Sequence, residues 1–345
     1  MKLQDVVVVG ATGLVGRTIL QVLEERNFPV DHLIPVASMH SLGKEIMFKG
    51  LPRRIVELKE EVFVHAEVAF FAAGGTISEH WVPIAARHCN IVIDNSSIFR
   101  MKKDIPLIVP EVNPRQIFLH GSKIIANPNC STIQLVTVLK PLHDVFTVKR
   151  IVVSTYQAVS GAGQLGVNQL RHEISHETVE QKKFHHAIAY NIFPHIDMFY
   201  RDGYTREEYK MVDETHKILN DCSIKVAPTC VRVPVLNGHS ESVNIEFSKP
   251  FDMRSVMEIL TQAPGVKLYD NPEEHRYPMP LIADGKDEVY VGRIRRDETI
   301  ANGLSLWIVA DNLRKGAATN AVQIAEAWLN GPGHYRVEIA REEKR

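Results

Sequence analysis

The stretch ANPNCSTIQLV (126–136) sets a thiol, Cys130, directly after Asn-Pro-Asn and at the head of an apolar run that reads as a helix. A buried cysteine is a small hydrophobe, but one at a helix N-terminus has its thiolate favoured by the helix dipole and becomes a nucleophile. A thiol nucleophile needs a base, and RVPVLNGHSES (232–242) holds a candidate. His239 stands in a Gly-flanked turn just before a strand, and imidazole titrates near neutrality. Arg232, in the preceding strand, reads either as a paired core residue or as a carboxylate clamp using its bidentate fork.

A second chemistry-bearing stretch is GATGLVG, which puts Gly10, Gly13 and Gly16 three apart between an apolar strand and a helix. Glycines there let the backbone approach a pyrophosphate, and the helix N-terminus supplies N–H donors and positive potential. The acid that would hold a ribose 2′-hydroxyl is missing from the end of the second strand, which finishes VASMHS. Ser38 and Ser41, with Lys44 nearby, suit a 2′-phosphate. NADP is therefore expected, with NAD the weaker alternative. HEISH (172–176) matches the H-E-x-x-H zinc-protease pattern. Its metzincin continuation fails, because Val179 and Lys182 occupy the positions that need Gly and His. The stretch reads as a charged helix within an insertion (164–183), and no metal is expected.

These residues need a scaffold. The chain has 345 residues, enough for two cored domains. Its formal net charge of −1, without a basic block, gives no footprint for nucleic acid or an anionic membrane. The start reads as a strand leading into glycines rather than a signal peptide, and no apolar run reaches the length of a membrane span. Cys89, Cys130, Cys222 and Cys230 form no C-x-x-C pair, so reduced thiols and a cytoplasmic location are expected.

The first half alternates strand and helix: strands at 5–10, 32–38, 66–75 and 90–97, helices at 14–26 and 78–88. That pattern predicts a doubly wound α/β sheet with its ligand at the strand C-terminal ends. A helix at about 131–145 follows, then long alternating strands at 148–159, 224–236, 241–250, 288–296 and 303–311. They predict a mostly antiparallel sheet covered by helices on one face. An amphipathic helix at 316–329 returns to the first domain. The expected division is 1–128, completed by 313–345, and 129–312, with Cys130 in the cleft between them.

With these motifs in place, the chain resembles the aspartate-semialdehyde dehydrogenases essentially end to end, and the Gram-positive-type branch more than the enterobacterial one. The resemblance rests on GATGLVG, DNSSIFR (94–100), NPNCST (127–132), QAVSGAG (157–163), EEYK (207–210), RVPVLNGHSES and DNLRKGAATNAVQIAE (311–326), in the family's order and spacing. It implies a Rossmann-like nucleotide domain and an α+β catalytic and dimerisation domain. It also implies an NADP-dependent, phosphorylating oxidoreductase that interconverts aspartyl phosphate and aspartate semialdehyde through a cysteine thioester. Its place would be the biosynthesis of lysine (through diaminopimelate), methionine and threonine.

By the same resemblance Cys130 is the nucleophile, His239 the proton acceptor, and Gln157 the residue that places substrate beside the thiol. Arg232 holds the α-carboxylate, Glu207 the α-amino group, and Arg100 with Lys210 the phosphate. Gly10, Thr12, Gly13, Leu14, Val15, Gly16, Ser38, His40, Ser41, Ser160, Gly161 and Asn312 are implied at the cofactor. His40 departs from the Arg common in such members, which weakens the hold on a 2′-phosphate. A homodimer or homotetramer is implied. Rival readings are an N-acetylglutamyl-phosphate reductase, which has no use for Glu207, an inactive nucleotide-binding relative, and the zinc protease.

Overall fold

The computed structural model describes residues 3–119 and 121–332. Its contacts divide the chain into two units, one of 1–128 with 317 onward, the other of 129–316. Of the segment expected to complete the first unit, 313–345, residues 313–316 fall in the second unit, and 333–345 lie outside the described residues.

In the first unit, β1 (Gln4–Val9), α1 (Leu14–Glu25), β2 (Val30–Val36), β3 (Glu45–Phe48), β4 (Leu51–Arg54), β5 (Val68–Phe71), α2 (Gly75–His88), β6 (Ile91–Asp94), α3 (Gln116–Leu119) and β7 (Ile124–Ala126) follow in order. The sheet runs β2-β1-β5-β6-β7 and every pair is parallel. Because strand order reverses beside β1, the crevice at the C-terminal ends of β1 and β5 is the topological switch point. Val6, Val8, Val68, Phe70, Ile91 and Ile93 carry the core between the helices, which is why these strands read as unbroken apolar runs. The β3–β4 hairpin was not legible in the strand pattern. Lys49 (φ 49°) and Gly50 (φ 73°) turn it, both in the left-handed region that two-residue hairpin turns demand.

The second unit holds α4 (Cys130–Phe146), β8 (Val148–Gln157), α5 (Gln164–Ile174), α6 (Arg206–Leu219), β9 (Lys225–Arg232), β10 (His239–Phe247), α7 (Met253–Gln262), β11 (Val266–Leu268), α8 (Pro280–Ala283), β12 (Val289–Asp297) and β13 (Gly303–Ala310). After it, α9 (Thr319–Asn330) packs Ala321, Val322 and Ile324 into the first unit's core, with Arg26 of α1 bidentate on Glu326 at 2.9 and 2.6 Å.

The second sheet runs β11-β12-β13-β10-β8-β9. Its central pairs are antiparallel, as expected, while β8–β9 and β11–β12 at the edges are parallel. The reason for β8–β9 is the long connection between them. It carries α5 and α6 and returns the chain in the same direction, as a parallel crossover must.

Two expectations of local structure are corrected. The helix expected over 164–183 ends at Ile174. His239 is the first residue of β10 rather than a turn residue before it. Among the described residues no helix is long and apolar enough to cross a membrane, and no disulfide joins the four cysteines.

Candidate active site

The period of two along a strand puts alternate residues on one face. On the inner face of the second unit's sheet this gathers Arg232 at the end of β9, opposite Gln157 at the end of β8, and His239 at the start of β10, opposite Ala310. All three polar residues are buried. The sheet's core, Val153, Val243, Ile245 and Leu306 among others, lies further along the same strands.

Helix α4 brings Cys130 to this end of the sheet. Asn129 caps it, its Oδ1 accepting from the Ser131 and Thr132 N–H groups at 2.9 and 3.4 Å. Asn129 is the residue type that N-caps favour. Its amide turns outward to donate to Glu207 Oε1 at 2.9 Å. Its backbone N–H donates to Glu214 Oε2 at 2.6 Å. Gln157 Nε2 donates to Ser131 Oγ (2.9 Å) and to Glu207 Oε1 (3.2 Å). The cap of the thiol's helix, the glutamine and the acid are thus one network.

Glu207 and Lys210 come from the first two turns of α6, which opens on a capping box of Thr205 and Glu208. Burial would raise the Glu207 carboxyl. The Lys210 ammonium, 2.9 Å from Oε2, and the hydrogen bonds from Asn129 and Gln157 outweigh it and hold the group at about 2. Lys210 also meets Asp197 at 2.9 Å.

Arg232 Nη1 donates to the Ala158 carbonyl at 2.6 Å, its guanidinium lies 5.7 Å from the Phe184 ring centre, and its buried Nε has no hydrogen-bond partner among the described residues. The Ala158 N–H donates to His239 Nδ1 at 3.0 Å, so the neutral ring carries its proton on Nε2, which has no partner either. Burial first, then the positive charge of Arg232, lowers His239 to about 3. Two buried donors therefore stand beside the anionic Glu207, the helix that carries Cys130 and the Gln157 amide.

Ser160 and Asn312 also belong to the second unit. The Asn312 amide donates to Ser160 Oγ at 2.9 Å, and its Oδ1 accepts from the Gly238 N–H at 2.9 Å, tying the chain just before His239. A Cβ on Gly161 would lie 3.1 Å from the His239 ring and 3.3 Å from Arg232, so glycine keeps this wall open.

The remaining expected residues belong to the first unit. A Cβ on Gly10 (φ 89°) would meet Ala72 O at 2.5 Å, and one on Gly16 would meet Gly10 O at 2.1 Å, so strand, loop and helix touch at distances only glycine permits. Gly13 is the N-cap of α1 and brings no capping side chain. Thr12, Leu14 and Val15 fill the same turn. Beside it lies a cavity of about 140 Å³ lined by Val15, Ala72, Gly74, Asn95 and Ser96. An uncapped helix N-terminus beside a cavity at the switch point fits a nucleotide's phosphates. Ser38 precedes a short helical turn that contains His40 and Ser41. Arg100 is buried, with Nε and Nη2 donating to the Asn127 and Asn95 carbonyls at 2.9 and 3.0 Å.

HEISH has a structural reading. Helix α5 stops at Ile174, and His176 follows with φ 57°, so the two imidazoles do not share a helical face. Glu173 accepts the Ile188 and Ala189 N–H groups at 2.7 and 2.8 Å and clips the following loop to the helix.

Three participants went unread in the sequence. Asn129 carried a signal, an N-cap residue before an apolar helix. Asp197 carried none. Gly316 lies close against Cys130, since a Cβ there would stand 2.9 Å from Cys130 Cβ.

Comparison with known proteins fits this geometry. The NAD binding domain of the semialdehyde dehydrogenases matches residues 5–120, and their dimerisation domain matches 139–315. An aspartate-semialdehyde dehydrogenase of Aquifex aeolicus is 54% identical over 93% of this chain and 96% of its own. That of Bacillus subtilis is 47% identical over 93% and 96%. The chain belongs to the aspartate-semialdehyde dehydrogenases. A crystal structure of aspartate semialdehyde dehydrogenase II from Vibrio cholerae, complexed with ASA, superposes with a TM-score of 0.92 at 48% identity, covering 96% of this chain and 99% of that one. The chain is accordingly an oxidoreductase of amino-acid biosynthesis with a nucleotide cofactor, and the rival readings are not favoured.

Proposed function

We propose that the chain performs the NADP-dependent, phosphorylating oxidation of L-aspartate 4-semialdehyde to L-4-aspartyl phosphate, running in reverse for biosynthesis. The first unit, 1–128 with the C-terminal helix, would hold the nucleotide, and the second the chemistry and the subunit contact. The observation that carries this reading is the pair of buried donors without partners, Arg232 Nε and His239 Nε2, beside an anionic Glu207.

Arg232 offers its fork to the substrate α-carboxylate. Glu207, ionised at every working pH, balances the α-ammonium, and Gln157 places the aldehyde. Cys130 Sγ bonds to the aldehyde carbon to give a thiohemiacetal. A bound nicotinamide would supply the hydride acceptor here, and Cys130 would keep the oxidised carbon as a thioester. A phosphate oxygen then bonds to the acyl carbon, the C–S bond breaks, and the thiolate returns. Arg100 and Lys210 hold that phosphate. Lys210 has three N–H donors and spends two on Glu207 and Asp197.

His239 faces the reacting groups through Nε2. Since its resting tautomer already carries a proton there, it enters as a hydrogen-bond donor to the thiohemiacetal oxygen. The role of proton acceptor needs the other tautomer.

Gly10, Thr12, Gly13, Leu14, Val15 and Gly16 would receive the pyrophosphate, Ser38, His40 and Ser41 the 2′-phosphate, and Ser160, Gly161 and Asn312 the nicotinamide end. Exposed Tyr190, Ile192, Met198 and Phe199 support assembly into a homodimer or homotetramer, and reduced cysteines support a cytoplasmic setting. The test is coenzyme reduction with aspartate semialdehyde, with and without phosphate. Phosphate-dependent NADPH formation is expected; its absence would refute the reaction.

A further inference from the structure

Two buried side chains have no part in the chemistry above. Glu241 stands on β10 two residues after His239 and so on the same sheet face. Gln134 stands on α4 four residues after Cys130 and so on the same helix face. Both are 0% exposed. Cross-strand register puts Glu241 in a row with Thr155 and Cys230 on one side and Ile308 on the other. That row lies directly behind the row of Arg232, Gln157 and His239. Helix α4 packs on β10. Gln134 lies beside the Glu241 carboxyl, yet among the described residues neither carboxyl oxygen and neither amide atom has a hydrogen-bond partner of normal geometry.

The surroundings of the Glu241 carboxyl favour its neutral form. Burial pushes it well above the usual carboxylate range, and the Gln134 amide only partly opposes that. A buried acid and a buried amide each carry a desolvation cost, which apolar residues of like volume would remove. A fold keeps such a costly pair when it specifies an arrangement that apolar packing leaves loose. Here that arrangement is the seat of the nucleophile's helix on the histidine's strand.

We propose that Glu241 and Gln134 are positioning residues that lock the second turn of α4 against β10 and so set Cys130 relative to His239. The proposal rests on the reading of Cys130 as nucleophile and His239 as its proton partner.

The test uses the full chain carrying Glu241→Leu, Glu241→Gln or Gln134→Leu. The readouts are kcat and KM for semialdehyde oxidation, the rate of Cys130 alkylation by iodoacetamide followed on its peptide, and Tm. Glu241→Leu should lower kcat by roughly 10²-fold, the scale of a misplaced reacting group. Its KM should be little changed, its Cys130 alkylation rate altered several-fold, and its Tm unchanged or higher. Glu241→Gln, which keeps a neutral hydrogen-bonding group, should recover most of kcat. Gln134→Leu should repeat the pattern and carries the test should Glu241→Leu fail to fold.

Wild-type kcat and alkylation in the leucine variants would overturn the proposal. So would a Glu241→Gln variant as slow as Glu241→Leu, which would assign the carboxyl proton itself to the chemistry. A Cys130→Ser variant run beside them separates the two levels. Turnover by it sinks the covalent reading, whereas failure of the placement idea alone leaves it inactive and Glu241→Leu active.

Discussion

In the first unit the candidate site is made of backbone: a glycine loop, an uncapped helix N-terminus and a small cavity. In the second it is made of side chains, an arginine, a histidine, a glutamate and a glutamine brought to one end of a sheet and held in a buried network. A backbone site is built from one contiguous stretch, so its tolerance is set by sterics. A side-chain site is assembled from α4, α6, β8, β9 and β10, so its tolerance is set by protonation and hydrogen bonding. Substitutions in the two should therefore fail differently.

The largest effect belongs to the second unit. Cys130→Ser should abolish turnover, because a hydroxyl is a far weaker nucleophile than a thiolate near neutral pH. Its fold and coenzyme affinity should stay intact. Steady-state rates and coenzyme titration check both halves, and wild-type-like turnover would end the covalent mechanism. His239→Ala comes next, with kcat lower by roughly 10²–10⁴-fold. A loss of only a few-fold would show that another group handles the proton.

The same comparison explains what could be read in advance. The glycine loop was legible because its chemistry and its spacing are the same thing, three glycines between strand and helix. Cys130 was legible from its place at the head of a helix. What joins it to Glu207 was not, since Asn129 and Gln157 are neighbours of the acid only after β8 and α6 have folded onto α4. Helix α6 itself escaped the strand-and-helix reading although Thr205 and Glu208 form the S/T-x-x-E capping signature. The parallel edge at β8–β9 was hidden because strand direction depends on the connection, not on the strand's own pattern. HEISH was expected to lie within one helix over 164–183, whereas α5 ends two residues before the second histidine.

Acid should separate the units through stability. His239 lies at about 3 when folded against the ordinary 6.5 of a histidine, and Glu207 at about 2 against the ordinary 4.5 of a glutamate. In each case the unfolded chain binds the proton first, so stability falls as pH falls. The His239 contribution is complete above about 6.5 and is lost towards 3, and that of Glu207 is complete above about 4.5 and is lost towards 2. Each group steepens the loss by at most about 1.4 kcal/mol per pH unit in its window. Denaturant midpoints between pH 7 and 4 should flatten in His239→Asn, and an unchanged slope there would contradict the buried neutral imidazole.

In the first unit, Gly16→Ala pushes a Cβ to 2.1 Å from the Gly10 carbonyl, a backbone atom that cannot swing aside. Overpacking of this kind costs about 1–3 kcal/mol, so Tm should drop and coenzyme KM should rise while the reactivity of Cys130 toward alkylation stays as it was. Equal loss of thiol reactivity would mean that the glycine loop also shapes the second site.

The smallest expected effect tests whether side chains matter in the backbone site at all. No acid ends β2, which is followed by Ser38, His40 and Ser41, with His40 exposed on its short turn. An Arg at 40 would bring a permanent charge and a fork matched to a 2′-phosphate. His40→Arg should therefore raise the ratio of kcat/KM for NADP over NAD by roughly tenfold, a gain of about 1–2 kcal/mol that is the order of one charge-assisted hydrogen bond. The gain should come from a lower NADP KM, because the 2′-phosphate does not react and binds ground and transition states alike. Both coenzymes measured in both proteins decide it. A ratio that stays put would mean that residue 40 does not reach the 2′-phosphate and that Ser38, Ser41 and the backbone alone set the preference.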